Sequence, residues 1–331
     1  MSLRALLAVL LLSVPLSPAT ALAQTGEVRE WKVPWPDSRP RDPFTLDGRS
    51  VWFCGQVGHY LAKLDTVSGE FSKVALPDLA GPHNLVIDRQ GIAWFAGNLQ
   101  AYIGRLDPAS GAIEKIPMPE PAARDPHTLA FDSRGDIWFT VQAGNFIGRL
   151  RVADRKVDLV SVPTPLARPY GILVSADDTV WAVLFGTNKL ASIDPRTLEL
   201  TEIGLPREDA RPRRIGITTD GRIWYTDHAG GHLGAYSPQT GDISEWELPG
   251  GPGAQPYAMA VDDADRVWVV ETGSSPNRFV GFDSASESFL GSTAVPSGGG
   301  SVRHMQFHAE TGAIWFGTDA NTIGRFTPPP R

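Results

Sequence analysis

Short runs of β-branched and aromatic residues alternate along nearly the whole chain with clusters of Asp, Gly, Ser and Pro. The stretch "PHTLAFDSRGDIWFTVQAGNFIGRLRVADRKVDLVSVP" shows the unit. Four such runs (HTLAF, DIWFT, FIGRL and VDLVSVP) follow one another, separated by turn signals. Runs of this length and composition read as strands, and Asp/Gly clusters between them read as hairpin turns. No segment keeps a helical period.

The unit repeats. Trp52, Trp94, Trp138, Trp181, Trp224, Trp268 and Trp315 stand in register, with spacings of 42, 44, 43, 43, 44 and 47 residues. A four-stranded up-and-down unit repeated seven times predicts an all-β, seven-bladed β-propeller. The opening "GEVREWKVP" nearly copies "GDISEWELP" at 241–249, which is an outer strand, whereas the chain stops after a third strand, "TIGRFTPPPR". The N-terminal segment is therefore expected to complete the last blade and leave no open edge. The domain reading is a leader over residues 1–23 and one propeller over residues 24–331.

The leader rests on Arg4, an apolar run from Ala5 to Leu16 and the small-x-small site Ala21-Leu22-Ala23, the layout of a secretory signal peptide. The apolar run is too short for a confident span, and no later segment reaches the roughly 18 apolar residues a membrane helix needs. Export to the periplasm or the medium is expected. The net charge of −7, with no Lys/Arg block, carries no footprint for nucleic acid. Cys54 is the only cysteine, so no intramolecular disulfide is possible and the core must carry stability. It is read as a small buried residue. A monomer is expected.

In an antiparallel hairpin, the start of the innermost strand lies beside the end of the second strand. Counting eleven residues back from each repeat tryptophan gives His83, His127, Tyr170, Arg213, Tyr257 and His304; in the first blade, aligning DPF with DPH puts Phe44 there. Just after the tryptophans come Gly97, Val141, Leu184, Asp227 and Glu271, with Asp319 one place further on. His304 is thus expected beside Asp319, Tyr257 beside Glu271, and Arg213 beside Asp227 with His228 close by. Polar and titratable groups converging on a channel mouth form the default place for a ligand. For His83 and His127 a structural or lining role outweighs chemistry, since their second-strand neighbours are Gly97 and Val141. The tryptophans are core. The glycines of the I-G-R triplets at Ile103, Ile147 and Ile323 allow close approach. No nucleophile elbow, phosphate loop, zinc-protease helix or EF-hand is present, and "PSGGGS" at 296–301 leads into no helix.

The recurring P-[HY]-x-[LI], W-[FY]-[TA] and I-G-R elements resemble the virginiamycin B lyase (streptogramin lyase) family over the whole mature chain. The resemblance implies opening of a cyclic depsipeptide by elimination: a histidine opening the inner strand of the last blade removes an α-proton, and Mg²⁺ stabilises the charge on the carbonyl. The implied base is His304. Of the metal's implied carboxylate ligands, one position is Val302, which cannot ligate, and the other is Asp319. The family's substrate-binding histidine matches Tyr257, and its first-blade tyrosine matches Phe44.

The reading is an exported carbon–oxygen lyase of this type, with His304 as base, Asp319 as orienter or Mg²⁺ ligand, and Tyr257, Arg213, Glu271, Tyr170, His127 and His83 lining the site. Arg213 can hold a carboxylate or enolate oxygen bidentately. Two alternatives stay open: a non-enzymatic propeller that binds a small ligand or peptide at the mouth, favoured by Val302, and a lactone or ester hydrolase.

Overall fold

Each period folds into one four-stranded antiparallel sheet, and seven such sheets make up the computed structural model, which describes residues 25–330. The expected leader lies outside the described residues. Among the described residues there is no α-helix, only four one-turn 3₁₀ segments, and no helix long and apolar enough to cross a membrane.

The inner strands are Pro40–Phe44, Pro82–Ile87, Pro126–Phe131, Pro169–Val174, Pro212–Ile217, Pro256–Val261 and Val302–His308. Each touches the inner strands of both neighbouring blades, and the first touches the last, so they form a closed ring around the axis. The seventh sheet is completed by Glu27–Lys32, paired antiparallel to Thr322–Thr327 with Trp31 opposite Ile323. The seven-bladed ring and its N-terminal closing strand are as the repeat pattern predicts.

In three blades a turn aspartate ties the first hairpin to the repeat tryptophan. Asp88, six residues before Trp94, accepts turn N–H bonds from Gln90 (2.9 Å) and Ile92 (3.0 Å) on one oxygen and the Trp94 indole N–H (2.9 Å) on the other. Asp132 serves Trp138 in the same way and Asp262 serves Trp268. The indoles can therefore be fully buried between blades with their one donor satisfied. Each removes roughly 200 Å² from water, a gross gain of about 5 kcal/mol before entropy is subtracted. In the third strands, Gly104 and Gly148 lie against the rings of Phe95 and Phe139. A Cβ there would approach ring carbons to 2.1 and 2.2 Å, which is why the triplet needs glycine.

Every inner strand carries a bulge at its start. Pro82 pairs with Gly97 and Leu85 with Phe95, so His83 and Asn84 together face one residue of the second strand. The same irregularity follows Pro126, Pro169, Pro212, Pro256 and Val302, and in the first blade it falls at Asp42 and Pro43. A bulge re-aims side chains. Here it lets successive residues such as Arg213 and Arg214 line two different cavities.

Candidate functional site at the channel mouth

Register decides which residues open each strand. The inner-strand partner of the repeat tryptophan lies eight residues before it in the first six blades: Phe44 for Trp52, Val86 for Trp94, and so on to Ala260 for Trp268. In the last blade it lies nine before, with Gln306 opposite Trp315. The extra residue sits in the turn, where Ala309–Thr311 forms a 3₁₀ turn and Ala309 replaces the capping aspartate. The Trp315 indole is correspondingly left without a partner. Two sequence expectations shift as a result. The last strand opens with Arg303, and His304 takes the second bulge position; the first blade obeys the plain count, so Arg41 opens it and Phe44 lies three residues further along.

The mouth is thus a ring of openers: Arg41, His83, His127, Tyr170, Arg213, Tyr257 and Arg303, all lining one cavity of about 340 Å³. Its rim includes Gln56, Asn98 and Gln142, each four residues after a repeat tryptophan. The residues one place earlier point into the blades because strand side chains alternate. Val141, Leu184, Asp227 and Glu271 are accordingly fully buried. Asp227 binds Arg207 (2.6 Å) and the backbone N–H groups of Arg211, Ala229 and Gly230. Glu271 binds Arg278 (2.5 Å) and the Gly250 N–H (2.8 Å). Neither meets its expected partner at the mouth: Arg213 instead donates to His228 Nε2 at 2.8 Å, and Tyr257 meets arginines rather than Glu271.

Those arginines dominate the site. The Arg213 guanidinium carbon lies 3.5 Å from the Tyr257 ring centre and 5.3 Å from that of Tyr170, and Arg303 lies over Tyr257 at 5.6 Å. The hydroxyls of Tyr170 and Tyr257 share a hydrogen bond across the intervening blade. Burial opposes ionisation of Tyr257, but Arg213, Arg41 and Arg214 outweigh it and bring the phenol down to about 8. His83 and His127 stack with ring centres 3.5 Å apart, and Tyr170 lies 4.1 Å from His127. Burial, reinforced by nearby arginines, pushes both histidines well below the usual imidazole range, so they are neutral aromatic walls.

A second polar layer lies beneath the openers. Arg214 reaches across the axis, donating to the Arg303 carbonyl (2.9 Å) and the Thr128 hydroxyl (3.2 Å), and it stands 3.8 Å from Asp42. Asp42 accepts from Arg41 Nε (3.0 Å) and Asn84 Nδ2 (2.9 Å). Its φ of 50°, which aspartate tolerates, turns it inward. His304 belongs to this layer and lines a further cavity of about 320 Å³ deeper along the strands. Burial holds its imidazole down to about 4, with Asp42 opposing and Arg214 and Arg41 assisting. Asp319 is not its partner: that carboxylate is held by Arg303 through Nη2 (2.5 Å) and Nε (3.2 Å).

This donor set does not fit Mg²⁺. Asp319 is engaged by a guanidinium with Arg39 4.0 Å away, Glu271 is sealed inside its blade, and Val302 is buried in the apolar contact between the last two blades. Among the described residues no three His, Cys, Asp or Glu side chains converge as a metal site. Hard cations need oxygen ligands free of competing cations, and the mouth offers guanidinium groups instead. Sequence reasoning missed Arg41, Asp42, Arg214 and Arg303. The plain count of eleven from Trp52 gives Arg41, and allowing one extra residue in the last turn gives Arg303; Asp42 and Arg214 each follow an opener by one residue.

The arrangement can bind an anion and present it to a phenol of lowered pKa. Comparison with known proteins places the fold. A solved streptogramin B lyase is 26% identical, with 92% of this chain and 98% of that one covered and a TM-score of 0.82. A selenomethionine-substituted virginiamycin B lyase from Staphylococcus aureus is 24% identical, covering 91% and 99%, also with a TM-score of 0.82. A catalytically inactive His-to-Ala variant of the S. aureus enzyme, crystallised with quinupristin, matches equally well. No curated protein matches. The Virginiamycin B lyase family matches residues 16–276, a stretch that stops before the last inner strand, and the chain therefore belongs to that family.

Proposed function

We propose that the protein is an exported carbon–oxygen lyase that keeps the family's reaction type, elimination beside a carbonyl, but carries it out with tyrosine and arginine. The observation that carries this reading is Tyr257, set on the mouth wall against Arg213 at 3.5 Å. A phenol near 8 is partly ionised at neutral pH and close to the ideal strength for a general base. His304, held neutral but near 4, is a weak base and lies beneath the mouth.

In the proposed step the Tyr257 phenolate takes the α-proton. The electron pair of that C–H bond becomes the new Cα=Cβ double bond, and the Cβ–O bond breaks with its pair leaving on oxygen. Negative charge that develops on the carbonyl oxygen meets Arg41 and Arg213, fixed dipoles and charges that cost no reorganisation in a buried site. A leaving carboxylate departs as such; a leaving alkoxide takes up the proton gained by Tyr257. Nothing is added, so product masses sum to the substrate mass.

The test is incubation with a panel containing quinupristin and oligosaccharides of uronic acids, followed by mass spectrometry. New unsaturation without gain of water, lost in Tyr257→Phe, supports the reading; gain of water means hydrolysis. A second reading, binding without turnover, is favoured by Val302, which cannot ligate a metal, and by the Arg303–Asp319 pair that occupies the remaining carboxylate. In that case the ligand emerges unchanged.

A further inference from the structure

Arginines outnumber carboxylates at the mouth, and not all of their donors are used. Arg41 is 4% exposed; its Nε serves Asp42 and its Nη1 serves Gln56 (3.1 Å), while Nη2 is buried with no partner. Arg213 gives Nη1 to His228, and its Nε is likewise buried and unpartnered. A buried cationic donor left unsatisfied is destabilising, and both side chains line the same cavity. The cavity is therefore short of acceptors for the guanidinium donors around it.

We propose that the mouth recognises a carboxylate-bearing, hydroxyl-rich ligand of the uronic acid class, its carboxylate held between Arg41 and Arg213 and its hydroxyls read by the amide rim. A planar carboxylate suits guanidinium donors. Gln56, Asn98 and Gln142 each offer both donor and acceptor to hydroxyls. An apolar cyclic peptide would leave these groups desolvated and unpaired. The inference rests on the elimination reading only for turnover: in a uronic acid joined through its 4-oxygen, the proton beside the carboxylate and the oxygen on the next carbon are the pair Tyr257 would act on.

Binding is tested apart from activity, by calorimetry on Tyr257→Phe with trigalacturonate, its fully methyl-esterified form and inorganic phosphate. The acid is expected to bind at least tenfold tighter than the ester, with Arg213→Gln weakening the acid at least tenfold and leaving the ester unchanged. Arg41→Lys, which keeps the charge in the buried site, is expected to weaken the acid by a smaller factor. Equal binding of acid and ester, no binding of either, or phosphate binding as tightly as the acid overturns the proposal. Acid binding without turnover by the unmutated protein upholds this ligand class and overturns the lyase reading; elimination of quinupristin without acid binding does the reverse.

Discussion

Arg213 lies flat against Tyr257, guanidinium carbon to ring centre 3.5 Å, in a cavity whose other charged openers are Arg41 and Arg303. This stack is the centre of a cationic mouth. It also draws the Tyr257 phenol down to about 8.

The pH profile follows. Tyr257 faces Arg213, Arg41, Arg214 and Arg303, with Tyr170 sharing its proton and His228 nearby. A base must be unprotonated, so kcat/KM is expected to rise tenfold per pH unit below about 8 and to level off above it. In Arg213→Gln the bend moves up by about one unit or more, as loss of a neighbouring cation disfavours the phenolate. A bend at 4, the value of His304, would assign the base to that histidine.

His304→Ala separates the two layers. Turnover is expected to stay within about threefold of the parent, while acid stability rises. The sign is set by a folded pKa below the unfolded one: the unfolded state binds more protons between about 6.5 and 4, so stability is present above 6.5 and lost as pH falls through that window. Removing His304 removes up to roughly 3 kcal/mol of that loss, measured by urea unfolding at pH 7 and pH 4.5.

Asp42→Ala is expected to destabilise the ring by about 3–5 kcal/mol, because Arg41 and Arg214 lose the carboxylate that compensates them in a buried layer. Asp42→Asn, which keeps the Asn84 contact only in part, falls in between. Urea midpoints at constant slope measure this.

Gly148→Ala tests the packing of the third strand. The added methyl would meet the Phe139 ring at 2.2 Å, and overpacking of this kind costs about 1–3 kcal/mol. Gly111→Ala, in an open turn with no neighbour within 4 Å but a φ of 73°, reports backbone strain alone and is expected to cost less.

The blades were legible because their signals are local. A tryptophan in register recurs in all seven blades, a turn aspartate six residues before it in three and a glycine against an aromatic ring in most, and the copied outer strand announced closure. The mouth was legible in five of its openers, His83, His127, Tyr170, Arg213 and Tyr257, for the same reason. It failed where the local signal changed. The last turn is one residue longer, which moves Arg303 rather than His304 to the opening, and a bulge at Asp42 keeps Arg41 in register where the DPF motif suggested Phe44. Alternation within a strand, not proximity in sequence, sent Asp227 and Glu271 into the blades.

The most direct test is to compare Tyr257→Phe with His304→Ala for release of unsaturated product from trigalacturonate, followed by mass spectrometry. Loss of product by at least a thousandfold in Tyr257→Phe, with His304→Ala retaining it, is the result expected if the phenol is the base. Retained activity in Tyr257→Phe together with loss in His304→Ala would contradict the account and return the chemistry to His304.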